Sequence, residues 1–218
     1  LTNIGKGKCF IMAQALNSAR LSEKWLSDEK IMGTRFDSIS TKHEEFISQQ
    51  AMFFVATATA DSRINMSPKG IDNFRVLGPN QIAWLNLTGS ANETAAHIQH
   101  NPRMTIMFCA FSGKPLILRL FGTAKAIHRN DTDWDKLYQL FADTVSARQI
   151  FIMQVDTVQA SCGFGVPLMD LQAKREELGK WAAKKGEAGI QNYWRDNNQV
   201  SIDGLETHIL DLNMPPES

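Results

Sequence analysis

The sequence is poor in cysteine, with three in 218 residues, and Cys9, Cys109 and Cys162 lie far apart with no Cys-x-x-Cys pair and no histidine cluster at ligand spacing. That argues against structural zinc and favours a reducing, cytoplasmic setting. It also lacks a surplus of charge: 23 basic and 23 acidic residues cancel, and no stretch concentrates Lys or Arg with aromatics, so the footprint of a nucleic-acid binder is missing. Apolar runs such as "RMTIMFCAF" fall well short of the roughly 20 residues that span a bilayer, so no membrane partner is expected. The opening "LTNIGKGKCFIMAQAL" has lysines and then apolar residues, but Gln14 and Asn17 break the run, and it is not read as a secretory signal. Familiar catalytic signatures are missing too. There is no Walker loop and no Gly-x-Ser-x-Gly elbow, and "GFGVPL" lacks the third glycine and the strand-to-helix setting of a dinucleotide fingerprint.

What is present is a chain long enough and apolar enough (43% hydrophobic) for one large domain with a core that needs no covalent staples. Residues 1–40 are expected to form a partly helical N-terminal extension, an upstream or engineered addition. The domain itself, with its C-terminal helices, is expected over 41–208, and 209–218 as a tail. Thr41-Lys42-His43-Glu44 fits a capping box and predicts a helix over about 41–50. "AMFFVATATA" and "INMS" then read as a hairpin turned by "DSR", followed by "FRVL", the turn "GPN" and the strand "QIAWLNL", in which Ile82, Trp84 and Asn86 share one face and Ala83, Leu85 and Leu87 the other. Ser90-x-x-Glu93 marks a second capping box and a helix that Pro102 ends. "MTIMFCAF", "PLILRLFGTAKAIH" and "RQIFIMQVDTVQASCG" are further strands, the last two separated by a helix from Asp131 to about Ala142. One or two amphipathic helices follow over 171–199. The early connections are too short for parallel crossovers. Antiparallel strands on this pattern need closure to hide their edges, and a small barrel with flanking helices provides it.

Chemistry has few candidate seats. Ser90, Asn92 and Thr94 fall at the start of a helix, where unpaired N–H groups and the helix dipole attract an anion, although a plain capped surface helix satisfies the same spacing. Lys69 and Arg75 are the nearby cations in sequence, and an arginine fork suits a phosphate. His43, His97, His100, His128 and His208 are scattered, and Cys162 has no activating base in its motif.

The ordered series "FVATATADSRINMSPKGIDNFRVLGPNQIAWLNLTGSANETAAHIQHNPRMTIMFCAF", "LRLFGTAKAI" and "QASCGFGVP" resembles the pyridoxamine 5'-phosphate oxidase-related, FMN-binding split-barrel family, over roughly residues 42–206. The resemblance implies a mainly β fold with flanking helices, a six-stranded antiparallel split β-barrel, assembled as a homodimer with FMN at the interface. Arg75 matches the family's strand arginine for the flavin phosphate, Lys69 the basic position of its "S-P-K/R-G" turn, and Thr88 a strand end that meets the flavin. At Asn92 to Thr94, the oxidases themselves carry Ser-Arg-Lys; here both cations are missing, and the C-terminal substrate signature with its Arg and His is not evident, so the chain falls outside the true oxidase branch. Gly163 and Gly165 would let backbone pass close to a ligand or partner, with Phe164 offering a flat face. The implied function is that of an FMN-dependent oxidoreductase acting on a small molecule, with no catalytic residue assigned. A non-enzymatic flavin carrier or sensor, or a split barrel that binds haem or F420, are the alternatives.

Overall fold

The structure is a computed structural model that describes residues 33–214. The helix expected in the first 31 residues, Cys9 and the last four residues lie outside the described part. Eight strands form one antiparallel sheet: β1 (Thr34–Phe36), β2 (Met52–Thr57), β3 (Asn65–Gly70), β4 (Phe74–Gly78), β5 (Gln81–Leu87), β6 (Arg103–Cys109), β7 (Ile117–Ile127) and β8 (Ala147–Ser161). The helices are α1 (Thr41–Ser48), α2 (Glu93–His100), α3 (Trp134–Tyr138), α4 (Glu177–Asn197) and α5 (Ile209–Asn213).

The strand order β3-β2-β6-β7-β8-β5-β4 has sequence neighbours at its two ends. Only the 3-10 turn Ile71–Asn73 separates β3 from β4, so the sheet must curl until its two edges nearly meet. No ladder joins them, which leaves the barrel split. Aromatic contacts bridge the curl: Phe53 of β2 lies 5.0 Å from Phe74 of β4, and Phe74 lies 5.2 Å from Phe108 of β6. Bending is eased where β7 shifts register between Phe121 and Gly122. A Cβ at Gly122 would sit 1.9 Å from the Gln154 carbonyl oxygen, so only glycine fits that crossing.

β8 organises the sheet. It pairs with β7 along its length, while its other edge takes β5 over residues 147–154 and β1 over 158–160. The antiparallel architecture is as expected; the eight strands exceed the six that the resemblance implies, and the three-residue β1 is the strand that sequence reasoning missed. β5 is buried on both faces as its alternation predicts: Ile82 and Trp84 enter the barrel core, whereas Ala83 and Leu85 pack with Trp134, Leu137 and Phe141 beneath α3.

Local details depart from the expectations. The cap of α1 is Ser40, not Thr41: Ser40 has the extended backbone a cap requires, its hydroxyl accepts from the His43 N–H at 3.3 Å, and its own N–H donates to His43 Nδ1 at 3.2 Å. The second box does not form, because Asn92 caps α2 without a side-chain bond and the Glu93 carboxylate accepts instead from the Ile202 N–H at 3.0 Å. α3 is shorter than expected, and α4 begins later and kinks at Gly186, where φ is 63°. The chain at 34–36, assigned to the extension, belongs to the sheet. Residues 209–213, assigned to the tail, form α5 and bury Ile209 against Trp194 and Ile190. Buried His128, held to about pKa 4 by burial, bonds the Asn213 amide at 2.9 Å and fixes that end.

Candidate functional site

The split end of the barrel carries polar side chains where its core would otherwise continue. Alternation along β3 turns Asn65, Ser67 and Lys69 inward, half-buried, and leaves Met66, Pro68 and Gly70 exposed. Asn65 Nδ2 donates to Thr94 Oγ1 at 3.1 Å, and Ser67 Oγ donates to Asn65 Oδ1 at 3.2 Å. Lys69 extends beyond them, its Nζ 5.5 Å from the centre of the Trp84 indole.

Across from β3, the loop after β5 is gripped from behind. Arg148, at the start of β8, is 2% exposed, and its guanidinium donates to Gln149 Oε1 (3.2 Å), Asn198 Oδ1 (2.9 Å) and the Ala91 carbonyl (3.0 Å). Asn198, just past α4, in turn donates to the Gly89 carbonyl at 3.0 Å. Asn86 donates to Gln149 Oε1, and Gln149 Nε2 donates to Asn92 Oδ1 at 3.3 Å. The loop Thr88–Asn92 is thereby held through its carbonyls and amides at the N-terminus of α2, by the cation Arg148 and by the neutral side chains of Asn198 and Gln149.

The balance of charge and donors in this region is one-sided. Arg148 uses three of the five N–H groups a guanidinium offers, each on a neutral acceptor. Among the described residues, the buried Asn92 Nδ2 and Trp84 Nε1 have no acceptor, and no carboxylate pairs with Arg148 or Lys69. Burial pulls Arg148 down to about 9, so it remains a cation at neutral pH. Burial, and then the charge of Arg148, pull Lys69 down to about 8. Glu93 is paired with neither cation: its Oε1 accepts from the Ile202 N–H, while its buried Oε2, 4.0 Å from His97 Nε2, makes no hydrogen bond among the described residues. Unsatisfied buried donors and unpaired buried cations are costly, and a small oxyanion is the ligand class that relieves both.

The residues singled out from sequence divide between several places. Thr94 is tied to the inward face of β3 through Asn65, Asn92 to Gln149 of β8, and Lys69 lies over Trp84, while exposed Ser90 lies on the same loop as Asn92. Thr88 is fully buried, and its hydroxyl is occupied, donating to the Ser146 carbonyl at 3.0 Å and accepting from Trp194 Nε1 at 2.9 Å. Arg75 pairs across strands with Ala83, on the sheet face opposite Trp84. Its guanidinium donates to the carbonyls of Leu140, Asp72 and Phe74 and lies 4.9 Å from the Phe141 ring, so the structure does not bring it to Lys69. Gly163, Phe164 and Gly165 follow β8 at its far end. A Cβ at Gly163 would stand 2.7 Å from the Leu116 backbone nitrogen, so its close approach is to its own chain, whereas Gly165 has open space and Phe164 is 64% exposed. Sequence reasoning missed Arg148. The available signal was a single cation, followed by Gln149, opening the apolar run "IFIM".

The outward sheet face adds a second surface. Cross-strand pairing aligns Phe54, Met107, Arg119 and Gln159 in one rank and Ala56, Thr105, Phe121 and Thr157 in the next, all half-buried. Among the described residues, no group of His, Cys, Asp and Glu converges as a metal site, and no helix is long and apolar enough to cross a membrane.

An antiparallel split barrel with an oxyanion-suited loop beside its open seam defines the class. Residues 39–162 match the sequence profile of pyridoxamine 5'-phosphate oxidase. The pyridoxamine 5'-phosphate oxidase family protein ustO of Aspergillus flavus is 37% identical over 190 residues, 78% of this chain and 76% of the relative. The chain belongs to the pyridoxamine 5'-phosphate oxidase family. Among solved structures, HupZ from Group A Streptococcus is similar at 21% identity and a TM-score of 0.45, covering 55% of this chain and 91% of that one. An FMN-binding protein from Syntrophomonas wolfei is similar at 12% identity and a TM-score of 0.45, covering 72% and 99%.

Proposed function

We propose that the protein is an FMN-binding flavoprotein that works as a homodimer and serves as an oxidoreductase for a small molecule. The observation that carries this reading is the presence of buried donors and cations at Asn92, Lys69 and Arg148, neither cation being paired with a carboxylate among the described residues. A phosphate monoester fits that donor set. Lys69 and Arg148 would carry its charge, and Asn92 Nδ2 with the first amides of α2 would bond its oxygens. When bound, the flavin supplies two-electron transfer between a donor and the substrate. The chain's part is to orient the group and to keep water from it.

The homodimer is supported by apolar surface out of place on a monomer. Phe164, Leu168, Met169 and Leu171 are 64%, 79%, 55% and 66% exposed within eight residues, and the half-buried ranks on the sheet face add to them. The reading includes a cytoplasmic setting, which free Cys109 and Cys162 suit.

The test is the absorbance spectrum of freshly purified protein together with the mass of the ligand released on denaturation. A flavin spectrum and the mass of FMN are expected, and NAD(P)H should bleach the spectrum. A haem band, the mass of F420, or failure to take up added FMN would overturn the FMN assignment. FMN that no donor reduces would leave a carrier instead of an enzyme.

A further inference from the structure

The side-chain amides behind the loop Thr88–Asn92 are ordered in one direction. Where β5 pairs with β8, Gln149 stands opposite Asn86 and Ala147 opposite Leu87, so Arg148 is the extra residue of a bulge. A bulge re-aims side chains, and this one lets consecutive residues of β8 meet. Gln149 is fully buried, and its Oε1 accepts both from Asn86 Nδ2 at 2.9 Å and from Arg148 Nε at 3.2 Å.

A guanidinium has donors and no acceptor, so the atom of Gln149 that meets it can only be the oxygen. The amide nitrogen of Gln149 therefore faces the other way, where it donates to Asn92 Oδ1 at 3.3 Å. That contact fixes Asn92 in turn. Its oxygen is held toward Gln149, and its Nδ2, in a side chain 2% exposed, is left without an acceptor among the described residues. Asn92 is also the cap residue of α2, yet its side chain makes no capping bond. A buried donor is thus kept at the start of an eight-residue helix, where backbone amides and the dipole favour an anion. Turned over, the amide of Asn92 would set donor against donor at Gln149 and offer an acceptor to the ligand. The fixed chain of amides opposes that arrangement.

We infer that Gln149 is a positioning residue for an oxyanion: anchored by Asn86 and Arg148, it sets the amide of Asn92 so that the position takes a group that only accepts hydrogen bonds, a phosphate dianion, and disfavours one that donates. This rests on the reading of the subsite as one for the flavin phosphate, and adds to it the residue that sets its preference. Gln149 acts through Asn92, not on the ligand.

Titration of the full-length, flavin-free chain with FMN and with riboflavin at pH 8 separates the two roles a buried glutamine could have. The phosphate is a dianion there, its second ionisation lying at about pH 6. A loosened fold weakens both flavins alike, whereas a lost phosphate contact weakens FMN alone. Gln149→Met removes the anchor without adding charge, and Asn92→Ala removes the donor. Each should lower FMN affinity by about tenfold and spare riboflavin. The double variant should also stand about tenfold below the parent, because both changes remove one bond, whereas independent losses would multiply to about a hundredfold. Gln149→Glu keeps an acceptor for Asn86 and Arg148 but offers a second one to Asn92 Nδ2, so it should lower FMN affinity by at least about tenfold, and adding Asn92→Ala to it should cost nothing more. That pair decides the matter if the methionine variant does not fold.

With FMN bound by the parent, losses that multiply, riboflavin weakened as much as FMN, or full FMN affinity in Gln149→Glu would overturn the inference and leave the flavin assignment standing. If FMN fails to bind but inorganic phosphate does, the flavin assignment falls, and the same variants titrated with inorganic phosphate uphold the inference if their losses do not multiply and overturn it if they do. If neither binds, both fall.

Discussion

The loop from Thr88 to Thr94 and the segment from Ser161 to Lys174 both leave the end of a strand, and both contain glycine. They hold opposite kinds of surplus. In the first, polar groups are buried beyond the supply of partners among the described residues: Asn92 Nδ2 has no acceptor there, and Arg148 behind the loop no counter-charge. In the second, apolar groups are exposed beyond the need of a monomer, Leu168 at 79% being the extreme. A buried surplus of donors is relieved by a small enclosed anion, whereas exposed apolar surface is relieved only by something large enough to cover it. The two regions thus point to different ligands, a phosphate for one and a second chain for the other.

The largest expected effect on this contrast comes from Arg148→Met. It removes the fixed charge and leaves Asn198 Oδ1 and the Ala91 carbonyl without their donor, at about 1–3 kcal/mol for each buried group. FMN affinity should fall by at least about tenfold, and toward hundredfold, through loss of one charge-assisted bond, and the melting temperature should drop. Titration and thermal melts read the two losses separately, and unchanged FMN affinity would erase the distinction between the regions. Next, Leu168→Glu should weaken the dimer by about tenfold or more per chain, the worth of burying one leucine, while sparing the melting of each barrel. Sedimentation over a dilution series measures it, and an unaltered association constant would separate the apolar segment from the interface.

The smallest effects sharpen the comparison inside the second region. Gly163→Ala forces backbone at Leu116 to move and should cost about 1–3 kcal/mol in denaturant unfolding, regardless of flavin or dilution. Gly165→Ala meets open space, so it should change stability by less than about 0.5 kcal/mol, and any larger effect must appear only in the dimer.

Much of the strand pattern was legible in the chain. Period-two alternation in "QIAWLNL", turn residues in "GPN" and the short early connections dictate an antiparallel sheet, because the pleat and hydrogen-bond geometry leave few other ways to bury both Trp84 and Leu85. β1 was not legible, since three residues carry no periodicity and exist as strand only because β8 offers an open edge at residues 158–160. Helix caps were misplaced by one or two residues for a related reason: the extended backbone that makes Ser40 a cap is set by where the chain arrives from, and α2 starts after Asn92 without a side-chain cap bond. At the site, Lys69, Asn92 and Thr94 could be picked out from motif and spacing. Arg75 could equally be picked out, but the carbonyl of Leu140, 65 residues away, captures its guanidinium. Arg148 was invisible as a site residue because its partners stand 50 and 57 residues from it.

By itself, then, the amino-acid sequence determined the antiparallel architecture and the family, because these follow from local alternation, turn chemistry and the order of motifs, whereas Lys69, read as part of a turn, stands on β3. Only the tertiary structure decided that Arg148 stands behind the anion loop, that Glu93 accepts from the Ile202 N–H, and that Gly163 packs against its own chain. Those facts depend on how a curled sheet brings distant strands to one seam, and no local rule encodes the distance between residues that meet only when the barrel closes.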